Sequence, residues 1–155
     1  MSLENDIGLI RQAPFFRDLP NDQLRLIAFS AVRRDVAAGG RLFRAGDRGA
    51  SGFVVASGAI ELTTGTGRDR RVLEVCEAGC LIGTTALLVE TKRPCDATAR
   101  DVSAVLEISR QLMQRMLEEH PELATRLERR LAKQVSGALG ELERVRQRLL
   151  QIGSD

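Results

Sequence analysis

Tryptophan and tyrosine are absent, and five phenylalanines bring aromatics to only 3% of the 155 residues. An aromatic platform for stacking nucleic-acid bases is therefore poorly supplied. The only histidine is His120, and the cysteines number three, Cys76, Cys80 and Cys95, which makes a poor zinc set. An odd thiol count in a chain whose N-terminus lacks an export signal argues against a disulfide framework. Small buried or half-buried thiols are the plainer reading, with a redox or haem-ligand role as the other. A formal charge of +2 is too small to argue for nucleic acid or membrane. No apolar run approaches the roughly 20 residues of a membrane span, so a cytoplasmic protein is expected. No nucleophile, base and orienter set is readable, and an enzyme is not expected.

The residues that are present suit one globular domain with a real core: 43% are hydrophobic and 28% charged. Leu3, Ile7 and Ile10 share a helical face before Pro14-Phe15-Phe16 breaks it, and Leu24, Ile27 and Ala28 form a second stripe. From Ala31 to Ile108 the texture becomes short Val, Ile, Phe and Thr runs between glycines, which predicts antiparallel strands near 32–37, 41–44, 52–56, 59–63, 70–75, 81–82, 97–100 and 102–108. Ser109 is placed to cap a helix over 111–119, and Pro121 to open a long one reaching the end of the chain. Along it Leu131, Val135, Ala138, Leu142, Val145, Leu149 and Ile152 alternate in steps of 4 and 3. That spacing predicts a parallel homodimer through a coiled-coil seam, the alternative being a helix packed on its own domain. Gly137 and Gly140 interrupt it as a bend or a close backbone approach.

The segment from Gly79 to Ala99 concentrates what anion chemistry the chain has. Gly83 opens a short apolar run whose free amides suit an anion if the run is one helical turn. Arg93, on the loop that returns, carries a planar five-donor fork suited to phosphate oxygens.

These residues lie among others with a shared pattern. Gly39-Gly40-Arg41-Leu42-Phe43-Arg44-Ala45-Gly46-Asp47 resembles a G-x-x-I-F-x-x-G-D turn, and the run from Phe53 to Leu62 a Y-x-V-x-S-G-x-V-x-V hairpin. Both belong to the cyclic-nucleotide-binding domain of the catabolite activator protein family (CRP/FNR-like), shared with the protein kinase A regulatory subunit and cyclic-nucleotide-gated channels. The resemblance runs from about Ile10 to the end of the chain. It implies a mostly β fold, a double-stranded β-helix (jelly-roll) barrel with short N-terminal helices and a long C-terminal dimerisation helix. It divides the chain into a barrel domain over 1–120 and a dimerisation or lid helix over 121–155.

The family's phosphate-binding cassette reads roughly F-G-E-L-A-L, a loop, then R-x-A-T/S-V/A. Ile82-Gly83-Thr84-Thr85-Ala86-Leu87 takes the first half and Arg93-Pro94-Cys95-Asp96-Ala97 the second. By that match Arg93 neutralises a cyclic phosphate, and the amides near Gly83, Thr84, Thr85 and Ala86, together with Pro94, border it. Thr84 replaces the family's glutamate, which accepts a hydrogen bond from the ribose hydroxyl, and Asp96 stands where the family has Thr or Ser. A second alignment, with a longer loop, puts Ala97-Thr98-Ala99 on the A-T-V/A segment and Cys95 at the arginine position.

The implied function is a sensor or regulatory module for cyclic AMP, cyclic GMP or a related phosphorylated ligand, with no metal and no catalytic residue. The family's transcription factors carry a helix-turn-helix after the long helix, and the sequence ending at Asp155 shows none. Output is therefore expected through a downstream protein and not through direct contact with nucleic acid. A non-binding dimeric scaffold of the same fold and a haem or redox sensor using the cysteines are the alternatives.

Overall fold

The computed structural model describes residues 2–132 and 148–153. The chain opens with α1 (Leu3–Gln12), whose first turn is capped by Ser2 accepting from the Asn5 amide, and which buries Ile7 and Ile10. A 3-10 turn at Pro14–Phe16 follows, where proline stops the helix and drops two buried rings edge-on at 5.1 Å. Helix α2 (Asn21–Ser30) buries Leu24, Ile27 and Ala28, the stripe expected from its spacing.

Ten strands come next: β1 (Val32–Val36), β2 (Arg41–Phe43), β3 (Arg48–Gly49), β4 (Ser51–Ser57), β5 (Ile60–Thr64), β6 (Arg71–Cys76), β7 (Leu81–Ile82), β8 (Thr91–Lys92), β9 (Asp96–Ala99) and β10 (Ser103–Ser109). Helix α3 (Thr84–Leu88) interrupts them after β7. Two four-stranded sheets result, ordered β1-β10-β4-β7 and β2-β9-β5-β6, with β3 and β8 paired separately. The chain passes repeatedly between the two large sheets, as in a jelly roll. The closed barrel expected from the sequence is not formed. Among the described residues each large sheet keeps its own ladder and its own edges, and no strand pairs across.

Side-chain alternation divides the core. Phe53, Val55 and Val105 face the second sheet and meet Phe43, Ile60, Ala97 and Cys76 there. Val54, Leu106 and Ile108 face the opposite way, onto the helices. Strand β4 is covered on both faces, which is why its sequence reads as a continuous apolar run.

Helix α4 (Arg110–Glu119) starts at the Ser109 cap, whose hydroxyl accepts from Leu112, and α5 (Pro121–Ala132) follows directly. Leu123, Ala124 and Leu127 join Ile7, Ile10 and Leu24 in one cluster. So do Leu149 and Ile152, from the helical residues 148–153. A Cβ placed on Gly153 would lie 2.5 Å from the Thr125 hydroxyl oxygen, so residues 125 and 153 are neighbours. On one continuous helix they would stand about 42 Å apart. The expectation of a single long helix from Pro121 to the chain end is corrected accordingly. Leu149 and Ile152 are buried on their own domain, the alternative weighed for the heptad pattern, while Leu131 lies near the end of α5. Val135, Ala138, Leu142 and Val145, with Gly137 and Gly140, lie outside the described residues. No helix among the described residues is long and apolar enough to cross a membrane.

Candidate functional site

A cavity of about 390 Å³ opens between the second sheet, α3 and the loop carrying Arg93. The position of that arginine is set by backbone bonds well before its side chain is considered. Asp47 folds the preceding turn by accepting the Arg44 amide, and its carbonyl then accepts the Arg93 amide at 2.7 Å. Gly46 donates to the Arg93 carbonyl at 2.8 Å, and Arg48 and Gly49 pair with Lys92 and Thr91. The Gly-Asp turn seen in the sequence is thus the bracket that holds the arginine loop.

On the other side, Gly83 sits at φ +86° immediately before α3. A side chain there would strain the backbone, and its Cβ would fall 2.8 Å from Arg93 Nη1. Glycine is required at this point both for the turn and for the close approach of the guanidinium. Gly49 makes a similar allowance, since a Cβ there would come within 3.3 Å of Arg93 Cζ.

The Arg93 side chain is only 6% exposed. Its guanidinium carbon lies 4.5 Å from the centre of the Phe43 ring and 5.3 Å from that of Phe53, so two aromatic faces hold the fork. Nη2 donates to the Ser51 hydroxyl at 3.4 Å, and Ser51 donates in turn to Glu107 at 2.7 Å. Nη1 is buried and has no hydrogen-bond acceptor among the described residues. Burial pushes the arginine pKa down from its ordinary value, against the opposing influence of Glu107, Asp47 and Cys95. An arginine placed in this way is a charged donor with unused capacity, and the chemistry it can perform is to bind an anion.

Gly83, Thr84, Thr85, Ala86, Arg93 and Pro94 all line the cavity, together with Phe43, Leu62, Glu74, Ile82, Thr91 and Cys95. Asp96 is turned away, its carboxylate accepting the Ala45 amide at 2.7 Å. The guanidinium that reaches Gly83 comes from Arg93, as in the first of the two alignments. Ser51, Glu107, Phe43 and Phe53 were not visible as site residues in the sequence. They reach Arg93 from β2, β4 and β10: pairing of β4 with β10 sets Ser51, Phe53 and Glu107 side by side, and packing of the two sheets brings Phe43 to them. His120 lies outside the cavity, with Nδ1 3.4 Å from Glu122 and Nε2 3.3 Å from Gln23.

All three cysteines are free thiols. The hydrogen bond between Cys76 and Cys80 pushes Cys76 above the ordinary thiol range, with burial adding to it, and draws Cys80 down.

The cyclic nucleotide-binding domain model matches residues 33–120, over half of the chain. The chain is 29% identical over 132 residues to the HTH-type transcriptional regulator Cmr of Mycobacterium tuberculosis, covering 85% of this chain and 52% of the relative. It is also 29% identical over 135 residues to the Cyclic AMP receptor protein of Thermus thermophilus, covering 86% and 62%. It thus spans between half and two thirds of these relatives. A solved cyclic nucleotide-binding-like protein from Brucella abortus superposes with a TM-score of 0.66 at 32% identity, over 74% of this chain and 98% of the other. On the strength of these matches and of the two-sheet fold that carries them, the chain belongs to the cyclic nucleotide-binding domain family.

Proposed function

We propose that the cavity binds cyclic AMP, cyclic GMP or a related phosphorylated ligand, and that the chain is a regulatory sensor module. The observation that carries this reading is the buried Arg93 guanidinium, held against Gly83 with Nη1 unsatisfied among the described residues. A buried charge without full hydrogen bonding is costly, and a phosphate accepting from the fork offsets that cost. The name of the Thermus relative points to the same ligand class.

Thr84, partly exposed on the cavity wall, supplies a hydroxyl where the family has a carboxylate. A hydrogen bond to a charged partner is worth about 1.5–3 kcal/mol, so the exchange weakens ribose binding by roughly 10- to 100-fold. The site is accordingly a low-affinity member of its class, or one tuned to a ligand with a different sugar contact.

The route outward from the cavity runs through α3. Leu87 and Leu88 share a core with Met113 and Leu117 of α4, and Arg110 donates to the Val89 carbonyl at 3.0 Å and to Gly49 at 3.1 Å. A ligand that binds one pose of α3 better than another shifts the pose of α4 and α5 with it. The readout is then another protein or a second copy of this chain. Heptad spacing over 131–152 supports pairing of copies, although Leu149 and Ile152 would have to leave their own core to take part. The test is calorimetric titration with each cyclic nucleotide, repeated on Arg93→Ala. Saturable binding that the substitution abolishes supports the reading, and a folded protein that binds neither nucleotide at millimolar concentration refutes it.

A further inference from the structure

Beside the cavity, which Glu74 also lines, and using none of the Arg93 machinery, three metal-binding side chains converge. Glu74 and Cys76 are two apart on β6 and therefore project from the same face of the strand. The chain then turns at Glu77–Cys80, closed by the Cys80 amide donating to the Glu77 carbonyl at 3.0 Å. Val55 pins that turn on both sides, accepting from Gly79 at 2.8 Å and donating to Cys80 at 3.0 Å. The result is that a carboxylate oxygen of Glu74 and the two sulfurs of Cys76 and Cys80 all lie within 4.8 Å of one another.

We propose that Glu74, Cys76 and Cys80 form a binding site for a thiophilic divalent cation of the zinc class. Ligand chemistry and dimensions both favour this. In a tetrahedral site with metal–sulfur bonds of about 2.3 Å the two sulfurs stand about 3.8 Å apart, so this set needs only a small closure. Thiolates select borderline and soft metals over magnesium or calcium, and a carboxylate completes three protein ligands with a fourth position open. The Glu74 carboxylate forms no hydrogen bond or ion pair among the described residues, so no cation of the protein occupies the place. Cys76 is buried while Cys80 is half-buried and Glu74 exposed, which gives an ion one wet side from which to enter. On binding, both thiols give up their protons to solvent, and the ion is neither oxidised nor reduced. The sequence alone suggested no such set because the spacing Glu-x-Cys-x-x-x-Cys lacks the paired Cys-x-x-Cys of common zinc sites, and the turn that closes it comes from packing on β4.

The test uses the full chain, reduced and kept free of oxygen, titrated with Cd²⁺ while thiolate-to-cadmium charge-transfer absorption is followed in the ultraviolet. Zn²⁺ is then measured by competition against a chromophoric chelator. The expected result is saturation at one ion per chain with absorption appropriate to two thiolates. Cys80→Ser, at a half-buried position, should reduce that absorption. Glu74→Gln should weaken affinity by about 10-fold or more while keeping the thiolate signal. Cys95→Ser and Arg93→Ala should leave both unchanged, and the Arg93 variant separates this inference from the nucleotide reading. No charge-transfer band in the wild type, an undiminished band in folded Cys80→Ser, or unchanged affinity in Glu74→Gln would overturn the site. So would a reduced protein that ignores Cd²⁺ yet closes a Cys76–Cys80 disulfide with peroxide, since the pair would then be a redox couple.

Discussion

Arg93 is held by three kinds of contact at once: backbone bonds to Asp47 and Gly46, two phenylalanine faces, and the Ser51–Glu107 relay. Each restrains a different freedom of the fork. Lysine keeps the charge but loses the planar donors and the stacking, so Arg93→Lys should retain only a small part of the nucleotide affinity, checked by calorimetry. Gly83→Ala meets both a positive φ and the guanidinium, and should cost about 1–3 kcal/mol of stability in a urea titration as well as ligand affinity. Thr84→Glu restores the carboxylate typical of the family and should raise affinity for a ribose-containing ligand by roughly 10- to 100-fold. Unchanged affinity in that variant would mean that the ribose does not approach Thr84. At this scale the sequence was informative about Arg93 and Gly83, whose residue types announce their chemistry. It was silent about Phe43, Phe53, Ser51 and Glu107, which look like ordinary strand residues until β2, β4 and β10 are placed.

Among the elements, those with strong local periodicity were the most legible. Helices α1, α2 and α4, and the longer strands β4, β5, β6 and β10, fall within a few residues of where alternation and caps placed them. Strands β3 and β8 did not show, because each is two residues long and exists only through its pairing with the other. The C-terminal segment shows the opposite difficulty. A seam of apolar residues in steps of 4 and 3 describes a helix face but not what covers it, and at Leu149 and Ile152 the cover is the chain's own helical core. Leu149→Ala should therefore cost about 2–5 kcal/mol, with a melting temperature that does not vary with protein concentration. A strong dependence on concentration would instead show that this side chain is buried between two copies.

For the molecule as a whole, two sheets and a layer of helices divide the work. The inter-sheet core sets the cavity walls, while the helical core on the outer face of β4 and β10 receives whatever α3 does. The link between them is short: the loop with Arg93, the five residues of α3, and Arg110 at the start of α4. Ligand at 100 times its dissociation constant should raise the folding stability by about 2.7 kcal/mol, visible as an upward shift in melting temperature. The direct measurement is calorimetric titration of cyclic AMP and cyclic GMP into the wild type and into folded Arg93→Ala. Saturable heat at one ligand per chain for at least one nucleotide, lost on removal of the guanidinium, is the predicted result. Equal binding by the two proteins would contradict the account, as would no heat from the wild type at millimolar nucleotide.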